Sequence, residues 1–163
     1  MKKVAVVGGG VSGILATLEL QKRNFHVDIY DQDFLTGNMG FGFLVMPNGV
    51  GGLKQMGYWN HLMKKGTPID DLVTYHDTKG LLKTFPMDGV WGFSRVDFLI
   101  ELSKEIKSEV TYIQQFVTLD EQRKLRIDED EFPVDKYEWV LGCDGSNSSI
   151  RRFLFSDSEI IDA

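Results

Sequence analysis

The most constraining feature of this sequence is the run Gly8-Gly9-Gly10-Val11-Ser12-Gly13, placed directly after the apolar segment Lys3–Val7. A short apolar run without alternation reads as a strand buried on both faces. Ile14, Leu15, Leu18 and Leu20 then recur at near-helical spacing through about Arg23. Asn24 serves as a left-handed stop for that helix. Phe25–Tyr30 reads as a second strand, ending at Asp31. The unit is therefore strand, glycine turn, helix, strand. Gly8, Gly10 and Gly13 fit G-x-G-x-x-G. The first glycine permits a tight turn, the second lets a pyrophosphate approach the backbone, and the third lets helix and strand pack closely. The helix start, with Ser12 in its first turn, offers unpaired N–H groups to phosphate. Asp31 puts a carboxylate at the strand end, where it can accept from adenosine ribose hydroxyls. These residues point to dinucleotide binding, and the turn alone leaves FAD and NAD both open.

Charge narrows the function classes. Eighteen Lys and Arg against twenty-four Asp and Glu give a net charge of −6, which disfavours a nucleic-acid groove. The acidic run Asp128–Glu131 reads as a solvated turn. One cysteine, Cys143, precludes an internal disulfide and fits a reducing compartment. No segment approaches the roughly 18 apolar residues of a membrane span. The early glycines break the apolar N-terminal run, so it does not read as a signal peptide. The expectation is a cytoplasmic protein. His26, His61 and His76 have no metal-ligand spacing and read as structural or surface residues; no metal site is expected.

In the middle of the chain, Asn48 is the expected N-cap of a helix running to Met56, with Gly57 as its stop. Leu72–Tyr75 and Leu81–Phe85 read as strands around a turn at 77–80, with Trp91–Phe93 as a third. They would form a small sheet beside the nucleotide domain. Ser94 and Asp97 approach a capping box for a helix whose apolar face is Val96, Leu99, Ile100 and Ile106. Arg95 falls at the first helical position, where its charge opposes the helix dipole, and a phosphate or ribose contact would offset that. Val110–Val117, Lys124–Ile127 and Trp139–Leu141 read as further strands. The last runs into Gly142-Cys143-Asp144-Gly145-Ser146-Asn147-Ser148-Ser149-Ile150-Arg151, where Ser148 can cap a new helix. This is a second ligand-binding edge at strand carboxyl ends.

Taken in order, four segments resemble the FAD-dependent aromatic hydroxylases, the single-component flavoprotein monooxygenases related to p-hydroxybenzoate hydroxylase. They are the Gly8/Gly10/Gly13 turn with Asp31, Pro47-Asn48-Gly49, Arg95-x-x-x-Leu99, and Cys143-Asp144-Gly145-Ser146-x-Ser148-x-x-Arg151. The resemblance implies an α/β fold: a Rossmann-like FAD-binding βαβ domain with a small β-sheet around 70–93, occupying 1–163 and stopping before the rest of the substrate domain. It implies that Gly8, Gly10, Ser12 and Gly13 hold the FAD pyrophosphate and Asp31 the adenosine ribose. Arg95 would contact the ribityl–phosphate region, and Asp144 with Gly145 the pyrophosphate and the nicotinamide route. The implied cofactors are FAD and, transiently, NAD(P)H; the partner is a small-molecule substrate. No protein nucleophile or general base is assigned, because the flavin carries the chemistry.

Two departures stand out. The second strand ends in Asp31-Gln32 where the family often has glutamate, and the family's later Gly-Asp motif has no counterpart in the sequence. The expectation is an N-terminal part of such an enzyme that binds FAD weakly and self-associates through exposed edges and the apolar residues Phe153, Leu154, Phe155, Ile160 and Ile161. The alternatives are a related flavin-dependent reductase and a non-catalytic nucleotide-binding remnant. The halogenase branch is disfavoured by the lack of a Trp-x-Trp pair.

Overall fold

The structure is a computed structural model that describes residues 2–33, 41–107 and 109–155. The chain divides into two compact units, one comprising residues 1–37 and 103–163, the other residues 38–102. The expectations for Ile160 and Ile161 lie outside the described residues.

The first unit is built on a four-stranded parallel sheet. β1 (Lys3–Val7), α1 (Val11–Gln21) and β2 (His26–Tyr30) form the expected N-terminal unit. Asn24 adopts φ 60°, the left-handed geometry that ends the helix. The second unit is inserted in the chain between β2 and the next strand of this sheet. In the second unit, β3 (Gly42–Val45) is followed by α2 (Pro47–Met56), α3 (Trp59–Leu62), β4 (Thr67–His76), β5 (Gly80–Ser94) and α4 (Arg95–Ser103). The chain then returns to the first unit with β6 (Val110–Ile113), β7 (Val117–Leu119), β8 (Leu125–Ile127), β9 (Asp130–Glu131), β10 (Trp139–Gly142) and α5 (Ser149–Leu154).

The parallel sheet runs β10-β1-β2-β6. Val4, Ala5, Val6 and Val7 are almost wholly buried, as a central parallel strand requires. One face packs against the small antiparallel sheet β7-β8-β9: Ala5, Val7 and Tyr30 meet Val117, Leu125, Ile127, Phe132 and Ile150. Asp28 is buried in β2. It holds Lys3 Nζ at 2.7 Å and accepts from the Tyr137 hydroxyl at 2.7 Å. The expected strand Val110–Val117 is instead two strands in two sheets, β6 pairing with β2 and β7 with β8. The polar pair Gln114-Gln115 falls at the point where the chain turns, a break that reading one strand through it passes over. The acidic run is exposed, but only Asp128 and Glu129 form the turn, with Asp128 at φ 52°; Asp130 and Glu131 are the strand β9.

In the second unit the sheet order is β3-β5-β4. Trp91–Phe93 is not a separate strand. It is the end of β5, which pairs with β3 there. Phe93 meets Phe98 edge-on, with ring centroids 5.1 Å apart, and Phe98 meets Phe43 at the same spacing. Two other expectations need correction. Met46, not Asn48, is the N-cap of α2, because Pro47 takes the first helical position and needs no N–H partner there. The buried face of α4 is Phe98, Leu99 and Leu102, whereas Ile100 is exposed and Ile106 lies past the helix end. Gly57 ends α2 at φ 88° as expected.

Candidate functional site: the glycine turn and its neighbours

The site grows from the carboxyl ends of three adjacent strands, β1, β2 and β10. The Gly8 N–H donates to the Tyr30 carbonyl at 2.7 Å, and the Cys143 N–H donates to the Val7 carbonyl at 2.7 Å. The glycine turn is thus tied to both neighbouring strand ends. Gly8 sits at φ 102°, and a Cβ there would lie 2.5 Å from the Cys143 carbonyl carbon and 2.8 Å from the Asp144 nitrogen. Gly13 has no room either, since a Cβ would overlap the Gly8 carbonyl oxygen. The two glycines let helix α1 and the Cys143–Asp144 turn close around one loop. Packing therefore fixes both residue types, independently of any ligand.

The start of α1 is chemically open. Its N-cap is Gly10, no side chain caps it, and no acidic residue lies in its first turn. The first helical bond runs from the Ile14 N–H to the Gly10 carbonyl at 2.9 Å. Val11, Ser12 and Gly13 therefore present N–H groups that the helix cannot satisfy. No acidic side chain of α1 itself lies in its first turn to offset the positive end of the helix dipole.

Asp31 lies beside this opening. Its Oδ2 accepts from the Gly9 N–H at 2.5 Å and its Oδ1 from the Asp33 N–H at 2.8 Å. The carboxylate thus holds the glycine turn in place, and each oxygen keeps a lone pair for another donor. Tyr112 on β6 feels this arrangement: burial, then the Asp31 charge, push its phenol well above the ordinary tyrosine range.

The second turn is organised by Asp144. Its Oδ1 accepts from the Ser148 hydroxyl at 2.5 Å, and its Oδ2 from the Ser149 N–H at 2.6 Å and the Ile150 N–H at 3.3 Å. Ser148 caps α5 as expected, accepting from the Arg151 N–H at 2.9 Å. Gly145 adopts φ 83° in open space. Burial and the Asp144 charge push the neighbouring Cys143 thiol up.

Within the first unit the fold brings together Gly8, Gly10, Ser12, Gly13, Asp31, Asp144 and Gly145. Arg95 belongs to the second unit, exposed at the first position of α4, where its N–H donates to the Phe41 carbonyl at 3.4 Å. Sequence reasoning missed two residues here. Gly9 supplies the N–H that Asp31 grips. A Cβ on Gly142 would lie 2.9 Å from the Ile150 side chain, so its absence lets α5 pack on β10. Three glycines in a row, where the motif needs only two of them, were the available signal for Gly9.

Residues 6–42 match the NAD(P)-binding Rossmann-like domain family. An FAD-dependent monooxygenase of Hypocrea jecorina is 26% identical over 163 residues, covering 94% of this chain and 36% of the relative. The 3-hydroxybenzoate 6-hydroxylase of Polaromonas naphthalenivorans is 26% identical, covering 95% of this chain and 42% of the relative. Among solved structures, Pseudomonas aeruginosa PqsL in complex with 2-aminobenzoylacetate superposes with TM-score 0.74 at 19% identity, over 99% of this chain and 48% of that one. The chain matches the N-terminal part of FAD-dependent monooxygenases. It spans less than half the length of these FAD-dependent monooxygenase relatives. The α/β fold and the Rossmann-like sheet expected from the sequence are those of the FAD-dependent monooxygenase structures. Among the described residues, no helix is long and apolar enough to cross a membrane.

Proposed function

We propose that this chain is the FAD-binding part of a flavoprotein monooxygenase, one that hydroxylates a small organic or aromatic substrate using NADH or NADPH as transient reductant. The observation that carries the reading is the uncapped start of α1, closed in by Gly8 and Gly13 and faced by Asp31. The residues present fit a dinucleotide. Val11, Ser12 and Gly13 would give their N–H groups to the diphosphate, and Gly10 would leave the backbone open to it. Asp31 would accept from the adenosine ribose with its remaining lone pairs. Asp144 and Gly145 would border the diphosphate from the β10 side. When bound, the flavin supplies electron transfer and oxygen activation. The chain's own part is to bind it, orient it and keep its phosphates from bulk water. A cytoplasmic setting belongs to the same reading, supported by the single cysteine.

The test is equilibrium dialysis of the purified chain against FAD, read by the visible absorption of retained flavin. Saturable retention approaching one flavin per chain is expected. No retention at any concentration, with ADP still bound, would reduce the reading to a nucleotide-binding module. Adding NADPH and candidate substrates to the loaded protein then separates a monooxygenase, which consumes oxygen in a substrate-dependent way, from a reductase, which does not.

A further inference from the structure

Among the described residues the second unit carries an open sheet edge along β4, and we propose that it pairs with the same edge of a second copy of this chain. The proposal is independent of the nucleotide site. Among the described residues β4 pairs only with β5, so its other edge presents a row of backbone groups over Thr67–His76. Native sheets blunt such edges with lysine, proline or bulges. β5 carries all of these devices. Lys83 and Pro86 lie in it, and both irregularities of the hairpin put extra residues on its side, since Ile69 and Asp71 face Val90 and Pro86, and Thr74 and Tyr75 face Lys83 and Leu81. β4 has only Pro68 at its start and the carboxylates of Asp70 and Asp71; from Leu72 to His76 it is regular and carries no lysine or arginine. Its side chains are also exposed and partly apolar, Leu72 at 49%, Val73 at 40% and Tyr75 at 70%.

The sequence of β4 is self-complementary in one antiparallel register, with Val73 opposite Val73 of the other copy. Leu72 then faces Thr74, Asp71 faces Tyr75, and Asp70 faces His76. The His76 ring suits this pairing. Its Nδ1 accepts from the Thr78 N–H of its own turn at 3.2 Å, which leaves the Nε2–H to donate to the opposite Asp70. Shifting the centre to Leu72 sets Pro68 opposite His76, inside the ladder, where it has no N–H to give. Shifting it to Thr74 sets Asp71 against Asp77, a like-charge pair. Of these three registers, only the one centred on Val73 avoids both. An isologous pair of this kind closes on itself as a dimer and joins two three-stranded sheets into one of six.

The test combines sedimentation with a cysteine scan of the 163-residue chain. The wild type should pass with concentration from 18.5 kDa to twice that mass. Val73→Lys, which sets two ammonium groups face to face, should weaken the association at least tenfold. In a Cys143→Ser background, Val73→Cys should cross-link to a covalent dimer on mild oxidation. Leu72→Cys and Thr74→Cys should each fail alone and cross-link when mixed, because directly opposed Cβ atoms are about 4.5–5.5 Å apart. A monomer at every concentration would overturn the proposal and point to a strand from a different polypeptide. So would dimers untouched by Val73→Lys, or equal cross-linking by Leu72→Cys alone.

Discussion

Replacing Gly8 by alanine should cost far more stability than the same change at Gly145, although both glycines lie in the left-handed region. At Gly145, φ is 83° and nothing lies within 4 Å of a built Cβ. The only cost is backbone strain, about 1–3 kcal/mol for a residue held in a sparsely populated region. At Gly8 the same strain applies at φ 102°, and the new methyl also falls on the Cys143 carbonyl. That atom cannot swing away, because the Cys143 N–H is bonded to Val7 in the β1–β10 ladder. Forcing the methyl in adds an overpacking cost of about 1–3 kcal/mol. The total is roughly 2–6 kcal/mol, a large share of the ~5–15 kcal/mol that typically holds a domain. For a chain of this size it lowers the melting temperature by roughly 5–20 °C. Urea and thermal unfolding of the two variants, followed by circular dichroism, provide the comparison. Equal losses at Gly8 and Gly145 would show that the glycine turn and the Cys143–Asp144 turn do not press on each other.

Three further outcomes follow from the same geometry. Asp144→Ala strips α5 of the carboxylate that accepts from Ser148, Ser149 and Ile150; a loss of about 1–2 kcal/mol in urea unfolding is expected, and an unchanged midpoint would contradict the capping role. Tyr112 and Tyr137 have phenols pushed well above the ordinary range, the first by burial and the Asp31 charge, the second by burial and its bonds to Tyr30 and Asp28. Their raised folded-state values contribute stability that is full below the unfolded value near pH ~10 and is lost as pH rises above it. Ultraviolet titration should therefore show two of the five tyrosines ionising only as the chain unfolds. The Cys143 thiol, raised by burial and by Asp144, should alkylate slowly at neutral pH and faster in urea; rapid reaction of the folded chain would refute that environment.

The first thirty-one residues were legible almost to the residue because strand, turn, helix and stop are each local. Val4–Val7 has the composition of a doubly buried strand, and Asn24 and Gly57 need only their own backbone geometry to end a helix. The Ser148 cap was readable for the same reason. What was not legible depended on partners distant in sequence. Between Val110 and Val117 only the polar pair Gln114-Gln115 marks a break, and it does not tell which sheet each half joins, since β6 is defined by β2 and β7 by β8. The length of β5 is fixed by pairing with both β3 and β4. Asp28, alternating within an apolar strand, gave no hint that Lys3 and Tyr137 would meet it. The strand–turn–helix reading put Gly8, Gly10 and Gly13 at the junction of β1 and α1 and Asp31 just after β2, where they lie. It did not disclose that Asp31 grips the Gly9 N–H, or that Asp144 is bound into the start of α5.

The central claim is that the start of α1 and the end of β2 hold an adenosine diphosphate moiety, and calorimetric titration with ADP tests it most directly. Gly10→Val is the paired variant. Gly10 has φ −73° and ψ −169°, an extended conformation that valine adopts readily, so the change should spare the fold while filling the space the diphosphate needs. The account predicts that the wild-type chain binds ADP saturably, that FAD competes for the same site, and that Gly10→Val binds neither while melting like its parent. ADP binding that survives Gly10→Val unchanged, or a wild-type chain that binds neither nucleotide, would contradict it.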